Sequence, residues 1–124
     1  MTIAALALLA GAVLLGSALA ALAMRERAAG PRRLPLAALA HGSLGVAGFC
    51  LLLIALQGPA RGLRTGTASF GIIAAVLFGI AILLGLVIRH WFRRGWGMPG
   101  AVVSAHAGAA IAGFTILMAW VGLD

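Results

Sequence analysis

Two segments of the chain, AHGSLGVAGFCLL at 40–52 and AHAGAAIAGFTIL at 105–117, each place a histidine in an otherwise apolar run, and they align at a displacement of sixty-five residues. Ala, His, Ala, Gly, Phe and Leu recur in register. His and Phe carry the weight of the match, because the chain holds only three histidines and five phenylalanines. A neutral imidazole has one nitrogen that donates and one that accepts. Two such rings at one level therefore either tie helices together by hydrogen bonds or offer lone pairs to a metal ion. Ionisable groups inside a membrane are costly and face the interior of a bundle. Each ring is expected to aim its Nδ1–H at a carbonyl about one turn back on its own helix, near Ala37 for His41 and Val102 for His106, leaving Nε2 facing inward.

The elements that must carry these histidines follow from composition. A chain of 124 residues that is 64% hydrophobic and 9% charged cannot conceal its apolar surface inside a water-soluble domain of that size. Four apolar stretches, 3–24, 34–57, 67–89 and 99–122, are each long enough at about 1.5 Å per residue to cross a hydrocarbon core of about 30 Å. The sequence ALAALA at 18–23 resembles a signal-cleavage site, but no basic residue precedes that apolar core, so 3–24 is expected to be a transmembrane helix. Breakers fall between the stretches: GPRRLP at 30–35, QGPARGLRTGT at 57–67 and RRGWGMPG at 93–100. Short connections make successive helices antiparallel neighbours. The expected fold is all-α, a four-transmembrane-helix up-down bundle in which residues 1–124 form one integral membrane domain.

The matching segments imply a tandem two-helix repeat with a pseudo-two-fold axis along the membrane normal. Helices two and four then run in the same direction, with His41 and His106 at the same depth. Helices one and three, compared at the same displacement, agree hardly more than chance, so helices two and four carry the repeat.

All nine basic residues are arginines. Arg25, Arg27, Arg32 and Arg33 lie at the first connection, Arg89, Arg93 and Arg94 at the third, and only Arg61 and Arg64 at the second. This asymmetry places the first and third connections in the cytoplasm and both termini outside. The Ala/Gly-rich, arginine-only composition suggests a bacterial inner membrane. The net charge of +7 is then accounted for by topology and lipid headgroups, without nucleic acid. Trp91, Trp96 and Trp120 are expected in interfacial belts, and Cys50 as a small buried apolar residue.

Two neutral imidazoles facing each other across a dry bundle suit the axial positions of a haem iron. On helical geometry His41 shares a face with Leu44, Gly45 and Gly48, and His106 with Ala109, Ala110 and Gly113. The glycines would leave room for the macrocycle, and Phe49 and Phe114 would close its edges. Arg32, Arg33, Arg89, Arg93 and Arg94 are candidate partners for the haem propionates, unless they only snorkel to lipid phosphate. His90 is expected as a solvated boundary residue; its other roles would be a propionate hydrogen bond or an alternative axial ligand.

These residues resemble the bundle-type membrane b-type cytochromes, which hold haem between histidines on separate, co-directional helices, often with glycines nearby. The resemblance covers helices two and four only, through His41, His106, Gly48 and Gly113, and it implies haem b and electron transfer. Those families commonly bind two haems with four histidines spread over both membrane faces. Here all three histidines lie on one side, which implies one haem and no wire across the bilayer.

The competing expectation is a non-catalytic accessory or scaffold subunit, with pigment or lipid as its candidate ligands, whose histidines form interhelical bonds worth about 0.6–2 kcal/mol each. Bacteriochlorophyll is a variant, since one imidazole ligates its magnesium. The acidic residues are Glu26 and Asp124 alone. With no carboxylate in a span, a proton-coupled antiporter and a hard-cation channel are disfavoured. Ser43 and Ser104 lie on a different helical face from the histidines, so no serine–histidine nucleophile is indicated. The sequence points away from a self-contained enzyme and towards an electron-transfer or accessory subunit of a larger respiratory or photosynthetic complex. It would work in the lipid bilayer beside other membrane subunits, in a homo- or hetero-oligomer.

Overall fold

The computed structural model describes residues 2–26, 35–59, 61–95 and 100–123. Within them the chain forms α1 (Thr2–Glu26), α2 (Pro35–Leu56), α3 (Phe70–Arg93) and α4 (Gly100–Gly122). All four are long and apolar enough to cross a membrane, and the protein is an all-α four-helix bundle. The expected spans hold for α1, α2 and α4 to within about two residues, the usual uncertainty of helix ends. The third helix starts later and ends later than its apolar run. Thr67, Ala68 and Ser69 form a turn in which Phe70 N–H donates to the Thr67 carbonyl at 3.0 Å. At the other end Arg93 extends the helix where cations oppose the negative end of its dipole, and Gly95 stops it with φ +69°.

Packing is closest within each hairpin. α1 lies along α2 and α3 along α4, while the two hairpins meet less extensively through α1–α4 and α2–α3. In this cyclic order α2 and α4 stand on one diagonal and run in the same direction. The interior uses small residues: Ala5, Ala12, Ala74 and Ala81 are buried, together with Leu9, Leu52, Phe78 and Leu117. Large apolar side chains such as Leu14, Leu36, Ile72 and Leu83 point outward. This inversion of the soluble pattern suits lipid, where helices associate by close backbone approach and not by a hydrophobic drive.

Glycines set that approach. A Cβ on Gly48 would fall 2.7 Å from Leu9 Cγ, and one on Gly113 would lie 3.2 Å from Leu77 Cβ and 3.4 Å from the Ala74 carbonyl oxygen. Gly45 faces Ala12, whose Cβ would lie 4.0 Å from an added Cβ. The glycines expected to cradle a macrocycle therefore form the seam inside each hairpin, because the neighbouring helix fills the space their missing side chains leave.

The repeat also extends to the first helix of each hairpin, at a displacement of sixty-nine and not sixty-five. Ile3, Ala5, Leu8, Ala12, Leu14, Leu15 and Gly16 match Ile72, Ala74, Leu77, Ala81, Leu83, Leu84 and Gly85. The buried positions match as well: Ala5 with Ala74, Leu9 with Phe78, Ala12 with Ala81, and Leu52 with Leu117. On this register Arg25 corresponds to Arg94, and His90 corresponds to Ala21.

Two further expectations are corrected. Trp120 is not an interfacial anchor: it is buried in the core, its indole is packed where Gly71 has no side chain, and its Nε1–H has no hydrogen-bond partner among the described residues. Cys50 is exposed on the outer surface of α2, not buried in the core. Trp91 is half-buried, and Trp96 lies outside the described residues. The connection between α2 and α3 is closed by Thr67 N–H donating to the Gly62 carbonyl at 2.9 Å, with Gly62 at φ +73°.

Candidate cofactor site

The site is built from a four-residue device that occurs once in each hairpin. In an α-helix the carbonyl of residue i accepts the N–H of residue i+4, and it keeps a second lone pair. On α1 the pair is Ala12 and Gly16. With no side chain at Gly16, the Ala12 carbonyl is open to the neighbouring helix, and His41 Nδ1–H donates to it at 2.8 Å. The imidazole occupies the space of the missing side chain: a Cβ on Gly16 would lie 2.6 Å from His41 Cε1 and 3.0 Å from Nδ1. On α3 the pair is Ala81 and Gly85. His106 Nδ1–H donates to the Ala81 carbonyl at 2.7 Å, and a Cβ on Gly85 would lie 3.2 Å from His106 Cε1.

The expected partners on the histidines' own helices, near Ala37 and Val102, are not used. Each ring instead reaches across its hairpin to a carbonyl that a glycine has uncovered. Because a carbonyl only accepts, each bond requires a proton on Nδ1, and in the neutral imidazole the lone pair is then on Nε2. Neither Nε2 has a hydrogen bond among the described residues.

The two rings meet across the α2–α4 diagonal, with centroids 5.9 Å apart and planes inclined at 75°. An ion held about 2.0 Å from each Nε2 would set the centroids of two collinear imidazoles roughly 6 Å apart. A separation of 5.9 Å at 75° is that of a direct edge-to-face ring contact, and its length equals the span of two imidazoles set about one ion. Among the described residues no group of three or more His, Cys, Asp or Glu side chains surrounds a common point. Protein-only sites for zinc need three or four ligands. A two-imidazole set instead suits a metal that arrives with its equatorial ligands already in place, as haem iron does.

The other expected site residues divide into three groups. Gly45, Gly48 and Gly113 belong to the hairpin seams described above. Phe49 lines a groove of about 330 Å³ with Val46, Gly79, Ile82 and Leu83, between α2 and α3. That groove runs along one of the two lines where the hairpins meet. Phe114 is half-buried and packs against the core cluster. Arg93 and Arg94 are exposed and line a concavity with Leu86, Arg89 and His90; Arg32 and Arg33 lie outside the described residues. His90 stands on α3, beyond the level of Gly85, and does not join the imidazole pair.

Sequence reasoning passed over Ala12, Gly16, Ala81 and Gly85, the residues that hold the rings. The signal was present at the longer displacement. Comparison with family models, curated proteins and solved structures finds no match.

Proposed function

We propose that this chain is a membrane-embedded electron-transfer protein, or a subunit of a larger redox complex, that carries one b-type haem between His41 and His106. The observation that carries this reading is the convergence of two imidazoles, 5.9 Å apart, each with Nδ1 bound to a backbone carbonyl of the adjoining helix. When bound, haem supplies a one-electron iron couple. His41 and His106 would hold it through Nε2. The Ala12 and Ala81 carbonyls orient the rings and raise the basicity of the ligating nitrogens. Ala12, Ala81, Gly16 and Gly85 keep the surroundings apolar and exclude water. The spacing favours one shared ligand over two separately ligated pigments, since macrocycles on both rings would overlap at this distance.

The arginine-rich connections face the cytoplasm of a bacterial inner membrane on this reading, and the imidazole pair lies in that half of the bilayer. A single site at that depth exchanges electrons with neighbouring subunits and does not span the membrane. One observation also favours the scaffold reading: the same two hydrogen bonds staple α2 to α1 and α4 to α3 without any ligand.

Absorption spectroscopy of protein made with ample haem separates the two. A reducible Soret and α-band spectrum, lost in His41→Ala and in His106→Ala, supports the haem site. Colourless protein, or a spectrum indifferent to both substitutions, overturns it.

A further inference from the structure

The groove bounded by Val46, Phe49, Gly79, Ile82 and Leu83 has no polar side chain in its wall. Val46 lies at the middle of α2 (Pro35–Leu56), so at about 1.5 Å per residue the groove stands roughly 15 Å from either end of that helix. With the helices across a bilayer, this is the level of the hydrocarbon, remote from headgroups and water. Val46 and Leu83 on the rims are 49% and 64% exposed. The groove is therefore a recess in the surface that the bundle presents to lipid.

Gly79 opens the recess. A Cβ there would lie 3.8 Å from Phe49 Cζ, at ordinary contact distance, so any longer side chain at this position would project into the groove. The relation between the hairpins supplies a comparison within the same molecule. At displacements of sixty-five for α2 and sixty-nine for α3, Val46, Phe49, Gly79, Ile82 and Leu83 correspond to Ile111, Phe114, Ala10, Val13 and Leu14 on the α4–α1 line. Phenylalanine and leucine are kept, and Ile82 exceeds Val13 by one carbon. Glycine, however, becomes alanine, and valine becomes isoleucine. The wall beside Phe49 is bare backbone, whereas its counterpart beside Phe114 carries a methyl group.

We infer that this groove seats one hydrocarbon chain of a bilayer lipid, which is held by its chain and not by its headgroup. The inference goes beyond the haem reading and does not rest on it. Lipid tails are as apolar as leucine, so no hydrophobic drive brings a chain to the protein. Dispersion contacts retain it, each small and many together. A chain lying on a convex helix touches one surface, but a chain in this recess meets α2, α3 and the backbone at Gly79. Because α2 belongs to the first hairpin and α3 to the second, the chain also fills a line along which the two hairpins pack less extensively than the helices within each.

The test is native mass spectrometry of the full-length protein, released from detergent with added phosphatidylcholine or phosphatidylglycerol that carries either oleoyl or hexanoyl chains. Either oleoyl lipid should leave a retained lipid on the protein. The hexanoyl lipids should leave none, because their chains end short of the groove. Gly79→Leu fills the recess and should weaken retention of both oleoyl lipids at least about fivefold. The melt in lipid-free detergent is the folding control. If the leucine variant fails it, Gly79→Ala, whose Cβ meets Phe49 at ordinary contact distance, makes the comparison, with an expected loss of about twofold. Absence of a retained lipid on the unsubstituted protein, or retention indifferent to the substitution at Gly79, overturns the inference. Retention that follows the anionic headgroup and ignores chain length assigns the lipid to the arginines and also overturns it. The haem spectrum is a separate readout, so each of these failures leaves the haem reading standing.

Discussion

Substituting Gly16 by alanine adds one methyl group at the described helical glycine that has least room for it. The new Cβ would stand 2.6 Å from His41 Cε1, whereas carbon atoms settle at about 3.5–4.0 Å. The ring must therefore retreat by about 1 Å. That retreat stretches the Nδ1–carbonyl distance from 2.8 Å well beyond the limit of about 3.2 Å for such a bond. An interhelical hydrogen bond in a bilayer is worth about 0.6–1.7 kcal/mol, and a ring N–H stranded in apolar surroundings costs about 1–3 kcal/mol more. Loss of about 2 kcal/mol in ligand binding corresponds to about thirtyfold in affinity. Gly85→Ala meets its ring at 3.2 Å, which a few tenths of an ångström of movement relieves, so its loss should stay below about 1 kcal/mol, or about fivefold. The assay is equilibrium haem titration, with electron paramagnetic resonance of the ferric form reporting the axial field. Equal effects of the two substitutions, or an unaltered axial field in a weakened Gly16→Ala variant, would refute the claim that these glycines position the rings.

Three other outcomes are expected. The double variant His41→Ala/His106→Ala should bind no haem, and each single variant should lose the six-coordinate low-spin signature, both read from the Soret band. Gly48→Ala pushes a Cβ against Leu9 and should lower stability by about 1–3 kcal/mol through overpacking, seen in detergent-melt temperature, with no change in the spectrum of the bound cofactor. Gly62→Ala requires a left-handed residue at φ +73°, a strain of about 1–2 kcal/mol; the melt should fall while ligand affinity stays within about twofold.

The spans were legible because membrane crossing demands uninterrupted apolar length, and Pro and Gly clusters mark where it stops. The histidine pair was legible because scarce residues recur at one spacing. Their carbonyl partners were not, because register between neighbouring helices depends on the connection joining them. Gly16 and His41 are separated by 25 positions, and Gly85 and His106 by 21, so the first helices of the two hairpins match only after a shift of one helical turn. Gly48 and Gly113 misled for a related reason: a glycine on a helix face serves a neighbouring backbone as readily as a ligand, and composition does not distinguish them. Trp120 sits at a helix end, where indoles usually meet headgroups. Gly71, forty-nine residues earlier in the chain, opens the notch that draws it inside.

The chain's two matched hairpins also bear on how its imidazole pair comes together. Two separate copies of a hairpin would have to find each other in the lipid, and occupancy would fall on dilution. Here residues 57–69 tether one to the other, so the encounter is intramolecular and its effective concentration is set by a short loop. Expression level then governs how many sites exist, and has no bearing on whether each is complete.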